Sequence, residues 1–155
     1  MVKENKKIVL ASGTFDLLHL GHVRFLEEAK KAGGKNAKLV VIVARDSTVE
    51  AQKGKTPVMP ADQRRALVES LKVVDEAILG QEGISIEKVI ENIKPEIIAV
   101  GHDQYGTEKQ VMKAIKEEGL KIQVVKIGKF GKQELDSSSK TVSYTHLTLP
   151  TKRIV

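Results

Sequence analysis

The sequence predicts an α/β fold in which five parallel strands form one doubly wound sheet. Short runs rich in Val, Ile and Leu alternate with amphipathic helical segments along the whole chain. The apolar runs are nearly continuous, which is typical of strands covered on both faces. Five strand–helix units in series favour a parallel sheet with right-handed crossovers. The predicted strands are residues 7–11, 39–44, 76–79, 96–100 and 122–127.

Amphipathic helices are predicted between the strands. One follows the first strand at residues 23–32, one ends before Pro95, and another ends at Gly119. In the later helices apolar residues recur three or four positions apart, which places them on one helix face. The apolar stripes consist of Leu67, Leu71 and Val74, of Ile86, Val89, Ile90 and Ile93, and of Val111 and Ile115.

The composition is that of an ordinary single domain. The chain has 155 residues, of which 41% are hydrophobic and 30% charged. No apolar run approaches the roughly 20 residues that are needed to span a bilayer. Because the chain has no cysteine, disulfides, thiolate nucleophiles and Cys-ligated metal sites are excluded. We therefore expect a cytoplasmic protein without a membrane partner.

The chain is basic, with a formal net charge of +6 from 26 Lys and Arg against 20 Asp and Glu. Basic residues alternate with glutamates along the predicted helices, as in Glu-Glu-Ala-Lys-Lys at residues 27–31. Such alternation is typical of a solvated helix face. A polyanionic nucleotide accounts for the positive charge as well as a nucleic acid would, and we expect no nucleic-acid partner.

The most informative segment is residues 13–22, which read Gly-Thr-Phe-Asp-Leu-Leu-His-Leu-Gly-His. It follows the first strand and leads into the first helix, so His19 and His22 lie three residues apart in a first helical turn. Unpaired backbone N–H groups and the helix dipole favour an anion there. Gly13 permits close approach of a ligand, and Gly21 keeps the turn open between the imidazoles.

Three interpretations of His19 and His22 compete. They could bind a metal ion, with His102 as the nearby candidate for a third ligand, or they could be ordinary surface histidines. Their place between two glycines at a strand-to-helix turn favours the third interpretation, in which they stabilise charge on a phosphate. A role as base or nucleophile is weaker, because no partner acid stands at a suitable spacing.

Three further polar segments are expected at the same edge of the sheet, because ligands of open α/β sheets bind at the carboxyl ends of the strands. They follow the second, fourth and fifth strands. The longest irregular stretch, residues 45–60, is either a functional loop or a plain surface loop that is partly helical around residues 49–52. The three segments are Arg45 with Lys53 and Lys55, residues 101–104, and residues 128–140.

Gly-Thr-Phe-Asp at residues 13–16, followed by His-Leu-Gly-His at residues 19–22, resembles the signature of the cytidylyltransferase-like nucleotidyltransferases, the HxGH superfamily. The resemblance covers about residues 6–141 and is greatest to the archaeal FAD synthases. It implies a Rossmann-like sheet of the nucleotidyltransferase type, in a domain of residues 1–141. The other matching segments are residues 43–46, 55–57, 59–65, 101–104 and 137–140.

The resemblance implies that AMP is transferred from ATP to FMN, which gives FAD and pyrophosphate, with a divalent cation such as Mg²⁺ bound to the triphosphate. An in-line transfer of this kind needs positioning and charge neutralisation more than covalent help. One alternative is a cytidylyltransferase acting on glycerol 3-phosphate or another phospho-alcohol. A second is a nucleotide-binding module without catalysis. A homodimer is expected from the resemblance alone.

By resemblance, His19 and His22 are the catalytic residues, which bind the triphosphate and stabilise the transition state, and Asp16 braces the loop. Without the resemblance, Asp103 is equally a helix N-cap and residues 137–139 a plain linker. The residues expected to bind nucleotide are Thr14, Phe15, His19, Leu20, Gly21, His22, Asp103 and Phe130, and those expected to bind phosphate are Lys53, Lys55, Arg64, Ser138 and Ser139.

Residues 142–155 are predicted to be a separate tail. The family continues into a helix at this point, whereas residues 142–151 combine β-branched residues, a proline and no helical stripe. Our hypothesis is that the natural sequence diverges after Thr141 and that the tail is not native. Genomic reads that cross this codon in uninterrupted coding sequence would overturn it. Under the hypothesis, Tyr144 and His146 have no functional role.

Overall fold

A single parallel sheet organises the chain in the computed structural model, which describes residues 7–128. The strands are β1 (Ile8–Gly13), β2 (Lys38–Val43), β3 (Glu76–Leu79), β4 (Ile97–Gly101) and β5 (Gln123–Ile127). They lie in the order β3-β2-β1-β4-β5, and every neighbouring pair is parallel. The predicted doubly wound α/β fold is confirmed, with strand ends within two residues of the predicted ones.

Helices connect the strands of this sheet. They are α1 (Leu20–Ala32), α2 (Asp46–Lys53), α3 (Ala61–Glu69), α4 (Ile86–Ile93) and α5 (Tyr105–Glu118). At the start of α4 the Ser85 hydroxyl accepts a hydrogen bond from the Lys88 N–H, and Gly119 ends α5 in the left-handed conformation that glycine adopts without strain. None of the helices in the described range is long and apolar enough to cross a membrane.

Both faces of the sheet are buried, which explains the continuous apolar runs of its strands. Leu26 and Ala29 of α1 and Val68 of α3 pack on one face. Ile90 of α4 and Val111 of α5 pack on the other. The helices therefore occupy opposite sides of the sheet, as doubly wound connectivity requires.

Two predicted segments differ in the structure. The stretch 45–60 contains a two-turn helix, α2, which is longer than the partly helical portion predicted there. The predicted stripe of Leu67, Leu71 and Val74 does not lie on α3: Leu67 is 42% exposed, whereas Leu71 and Val74 follow the end of the helix and pack in the core. The buried residues of α3 are Arg64 and Val68. The helix turns Arg64 inward because backbone carbonyls of three loops accept its hydrogen bonds.

The topology places a crevice at the carboxyl ends of β1 and β4. The chain runs from β1 outward through β2 to β3, then crosses back to β4 on the other side of β1. The connections after β1 and β4 therefore leave the sheet toward opposite faces. Ligands of open α/β sheets bind in such a crevice.

Candidate active site

The loop after β1 is shaped by close packing between Gly13 and Phe15. A Cβ atom at Gly13 would lie 2.8 Å and 2.9 Å from two ring carbons of Phe15, so the position admits only glycine without a shift. The Phe15 ring is 3% exposed and belongs to the core under α1, and its backbone has φ +54°. Phe15 is therefore a core side chain, and the expected contact of its ring with a nucleotide does not fit this position.

The side chains of His19 and His22 cap the N-terminus of α1. The Nδ1 atom of His19 accepts a hydrogen bond from the Gly21 N–H at 3.0 Å. The Nδ1 atom of His22 accepts one from the His19 N–H at 3.1 Å. The pair therefore forms a reciprocal capping box, with imidazoles in the places usually taken by a hydroxyl and a carboxylate.

The capping bonds determine how the two imidazoles can act. The rings of His19 and His22 stack with their centroids 3.9 Å apart and an angle of 29° between their planes. Because each Nδ1 accepts a backbone N–H, each neutral ring carries its proton on Nε2. Two stacked imidazoles, each with an Nε2–H donor, therefore lie at the positive end of a helix. This arrangement suits the oxygens of a phosphate chain.

The environment of His22 favours its neutral form. Burial lowers the pKa of the His22 imidazole below its usual 6.5, and positive charge on His19 and Lys53 lowers it further. The carboxylate of Asp103 acts in the opposite direction. Lys53 and Asp103 thus act electrostatically on the same imidazole although they come from different loops. An arriving polyanion would reverse the balance and favour the imidazolium.

The loop after β4 is fixed to β1 by Gln104. The side-chain oxygen of Gln104 accepts the Gly101 N–H at 2.7 Å, and its amide nitrogen donates to the Ser12 carbonyl at 2.9 Å. Gln104 is also the N-cap residue of α5, so the interpretation of Asp103 as the N-cap is wrong. The Asp103 side chain is exposed at this loop. Sequence reasoning missed the bridging role of Gln104, because both of its partners are backbone groups.

Lys53 and Lys55 lie on an exposed segment that Asp16 holds in place. Lys53 ends α2, and residues 50–56 are all exposed. The Asp16 carboxylate accepts the Val58 N–H at 2.8 Å and the Met59 N–H at 3.0 Å. Two charge-assisted hydrogen bonds thus join the loop after β1 to residues 58 and 59. The Val58 bond is the main cause of a lowered Asp16 pKa, with the Met59 bond, Arg64 and Lys53 acting in the same direction.

Arg64 does not fit the phosphate-binding role expected for it. Its side chain is fully buried. The guanidinium donates to the carbonyls of Met59, Thr14 and Ala44 at 2.7–2.9 Å and to the Asp46 carboxylate at 2.5 Å. A buried cation needs partners of this kind, and here they leave it no exposed surface for an incoming phosphate.

A cavity of about 490 Å³ adjoins this network at the carboxyl ends of β2 and β3. Its wall includes Asp46, which binds Arg64, and Arg45, whose Nε–H donates to the Gly80 carbonyl. Ser47 donates to Glu82 across the same wall. The cavity lies on the side of β1 away from the β4 loop.

The remaining predicted residues fall into two groups. Thr14 and Gly21 are half-buried in the loop after β1, and the side chain of Leu20 is 49% exposed at the start of α1. Phe130, Ser138 and Ser139 lie outside the described residues. Gln104 thus ties the β4 loop, which carries Asp103, to β1, and Asp16 ties the β1 loop to residues 58 and 59, which follow the end of α2 at Lys53.

Known proteins with the family resemblance described above match this chain over most of its length. A family model described as cytidylyltransferase-like matches residues 10–151. A protein named FAD synthase from Methanothermus fervidus is 52% identical over 133 residues, which are 86% of this chain and 90% of that protein. Another FAD synthase, from Ferroglobus placidus, is 50% identical over 148 residues, with 96% of this chain and 93% of that protein covered.

Solved structures share the fold described above. One, titled as a lipopolysaccharide core biosynthesis protein from Thermoplasma volcanium, is 43% identical with a TM-score of 0.73 and covers 82% of this chain and 100% of its own. Pantothenate synthetase from Thermus thermophilus is 14% identical with a TM-score of 0.57, covering 83% of this chain and 58% of its own, and is similar in fold alone. From its signature, its sheet and these matches, the chain belongs to the cytidylyltransferase-like family.

Proposed function

We propose that this protein is an FMN adenylyltransferase, which makes FAD and pyrophosphate from FMN and ATP. The observation that carries the proposal is the stacked imidazole pair at the start of α1, in which each Nδ1 accepts a backbone N–H and each Nε2 is left as a donor. Relatives about half identical over most of their length are named FAD synthase, which supports adenylyl transfer to FMN over other acceptors.

The reaction depends on positively charged groups held in place around the phosphates more than on a nucleophilic side chain of the protein. An oxygen of the FMN phosphate forms a new bond to the α-phosphorus of ATP. The bond from that phosphorus to the bridging oxygen of the β-phosphate breaks, and pyrophosphate leaves with the electron pair. Negative charge grows on the leaving oxygen, where the Nε2–H donors of His19 and His22 and the first N–H groups of α1 would stabilise it. The ammonium of Lys53 would add a further positive charge.

The described residues do not form a protein-only metal site. No group of three or more His, Cys, Asp or Glu side chains within residues 7–128 could hold a metal ion. The candidate site offers imidazole and ammonium groups, which suit phosphate oxygens, and one carboxylate, that of Asp103. A divalent cation would therefore bind mainly through the triphosphate, where Mg²⁺ keeps much of its water, and would neutralise phosphate charge there.

The cavity at the ends of β2 and β3 is our candidate for the FMN side of the site. Arg64 links the wall of this cavity to the loop after β1, because the guanidinium donates both to Asp46 in the wall and to the Thr14 carbonyl. A substrate in the cavity would therefore approach a nucleotide bound over the β1 loop from the β2 side. Enlarging a small wall residue, as in Ser47→Tyr, should raise the KM for FMN and leave the KM for ATP unchanged.

The proposed reaction is tested with purified protein and four substrate pairs. FMN and glycerol 3-phosphate are each incubated with ATP or CTP, and pyrophosphate release and FAD formation are measured. We expect turnover with FMN and ATP, and its loss in the His19→Ala and His22→Ala variants. Turnover of CTP with glycerol 3-phosphate and none of ATP with FMN would overturn the proposal. Thermal stabilisation by nucleotides without turnover of any pair would identify a binding module instead.

A further inference from the structure

The exposed segment that carries Lys53 and Lys55 has little apolar anchoring. Residues 50–56 are exposed, as is Val58, and within α2 only Val49 is buried. The position of the two ammonium groups therefore depends on polar contacts made at the ends of the segment. Segments of this kind open locally at low cost unless such contacts hold them.

Both polar groups of the Met59 peptide backbone are held by charged side chains. The Met59 N–H donates to the Asp16 carboxylate at 3.0 Å, and the Met59 carbonyl accepts the Arg64 Nε–H at 2.9 Å. Asp16 comes from the loop before α1, and Arg64 comes from α3. The backbone at Met59 is thus gripped from opposite sides by an anion and a cation, an arrangement that we call the Met59 clasp.

The same guanidinium sets the spacing of the loops around the clasp. One Arg64 nitrogen donates to the Thr14 carbonyl at 2.8 Å and to the Ala44 carbonyl at 2.7 Å. The other binds Asp46 in the first turn of α2. Arg64 therefore touches the loop after β1, the loop after β2 and the segment before α3. The fixed fork of a guanidinium can hold such a geometry, whereas a lysine ammonium cannot.

Lys53 connects the clasp with the histidines. Its charge lowers the pKa of His22 and also that of Asp16, so its ammonium is within electrostatic reach of both. Displacing the segment would move this charge relative to the imidazoles. A displacement of about 1 Å near a reacting centre can reduce the rate by roughly 100-fold.

We propose that Asp16 and Arg64 are positioning residues, and that the Met59 clasp fixes the end of the segment that carries Lys53 and Lys55 to the loop that leads into α1 during adenylyl transfer. The catalytic part of this inference rests on the proposed function. The structural part, that the clasp holds the segment before α3, rests on the hydrogen bonds and is measured directly by amide exchange.

The variants are Asp16→Asn, Arg64→Lys and the double variant, with Arg65→Lys as the matched control. Asp16→Asn keeps the shape but presents an amide N–H₂ to one of the two backbone donors. Arg64→Lys keeps the charge but loses the fork. Arg65 is the next residue on α3, and its guanidinium binds Glu69 and the Ala77 carbonyl instead of the loops of the site.

We expect faster amide exchange in residues 54–60 of both single variants, while α1 exchanges as in the wild type. We also expect kcat to fall roughly 10- to 100-fold, with unfolding temperatures that do not account for the loss. The double variant should lose little more than the worse single variant, because both side chains hold the backbone of one residue, Met59. The Arg65→Lys control should match the wild type in exchange and in kcat.

Wild-type exchange in residues 54–60, wild-type kcat in either single variant, or additive losses in the double variant would each overturn the proposal. If Arg64→Lys does not fold, Asp16→Asn decides alone, because its side chain lies nearer the surface. A wild-type protein that forms no FAD would contradict the proposed function. The exchange comparison, which needs no substrate, would then still decide whether the clasp places the lysine segment.

Discussion

The imidazole of His19 fills the space that a side chain at residue 21 would occupy. A Cβ atom at Gly21 would lie 2.8 Å from Cε1 and 3.0 Å from Nδ1 of the His19 ring, and that Nδ1 is the atom that caps α1. Glycine at residue 21 therefore leaves room for the His19 imidazole. Helix propensity alone would favour alanine at this position.

Gly21→Ala should reduce activity with little change in stability. Alanine favours the helix by about 1 kcal/mol over glycine, whereas loss of the His19 cap costs about 1 kcal/mol, so the two effects nearly cancel. The displaced His19 ring can no longer stack on His22, and we expect kcat to fall at least roughly 10-fold. Thermal unfolding and steady-state kinetics measure the two quantities.

Gly106→Ala is the matched control for this substitution. Gly106 lies in the first turn of α5, and a Cβ atom there would meet nothing within 4 Å. We expect a stability equal to or above that of the wild type and unchanged kcat. A Gly21→Ala variant with wild-type kcat would contradict the role assigned to the gap between the histidines.

Gly13→Ala should destabilise the fold through the Phe15 ring. The added Cβ atom would lie 2.8 Å from a ring carbon of a side chain that is only 3% exposed, and such overpacking costs about 1–3 kcal/mol. Phe15→Leu shortens the side chain, so the double variant should lose less free energy of unfolding than the two single losses added together. Urea unfolding of the four proteins measures this coupling, and strict additivity would contradict the contact.

Local patterns predicted the elements of this fold well. The stripe formed by Ile86, Val89, Ile90 and Ile93 predicted α4, because its period depends only on neighbours along the chain. The glycines and histidines of the β1 loop form a local pattern as well, and the anion site that they indicate stays a prediction. The capping role of His19 and His22 also depends on residues within one helical turn.

Long-range polar contacts could not be predicted from the same patterns. Arg64 was expected to bind phosphate because it is a basic residue near the site, but its acceptors are carbonyls as far as 50 residues away in the sequence. Because every residue has a backbone carbonyl, the sequence does not show which carbonyls accept hydrogen bonds from a distant side chain. For this reason the buried face of α3 was not predicted correctly. Arg64 is buried there, at a position where an apolar residue would be expected from the periodicity, and Leu67 is exposed. The ring of Phe15 was likewise expected at the nucleotide but lies in the core, whereas a contact through its backbone stays a prediction.

The stability of the protein should depend on the protonation of His22 in mildly acidic solution. Its folded-state pKa is lowered, mainly by burial, so the unfolded chain binds the proton more readily. The contribution is therefore fully present above the unfolded pKa of about 6.5 and is lost as the pH falls from there through the folded pKa. The His22→Asn variant should show a smaller drop in unfolding temperature between neutral and mildly acidic pH. An equal drop in both proteins would contradict the burial effect.

Lys53→Met should raise the pKa of His22. The Lys53 charge lowers that pKa in the wild type, so removing it favours the imidazolium. NMR titration of the histidine ring protons measures the change, and the KM for ATP should rise in the same variant. Lys35→Met, an exposed lysine after α1, serves as the control and should alter neither quantity. An unchanged His22 titration would place Lys53 outside the site.

Gln104→Glu should weaken nucleotide binding by releasing the loop that carries Asp103. The wild-type amide accepts from the Gly101 N–H and donates to the Ser12 carbonyl, whereas a carboxylate keeps only the first bond and turns an oxygen toward that carbonyl. Leaving the Ser12 carbonyl without its donor costs about 1–3 kcal/mol. Thermal unfolding should report this loss, and the Kd for ATP should rise, because the β4 side of the crevice is no longer fixed to β1. Gln110→Glu makes the same change at an exposed position of α5 and should leave both measurements unchanged. Equal effects of the two substitutions would mean that added negative charge, and not the lost bridge to Ser12, is responsible.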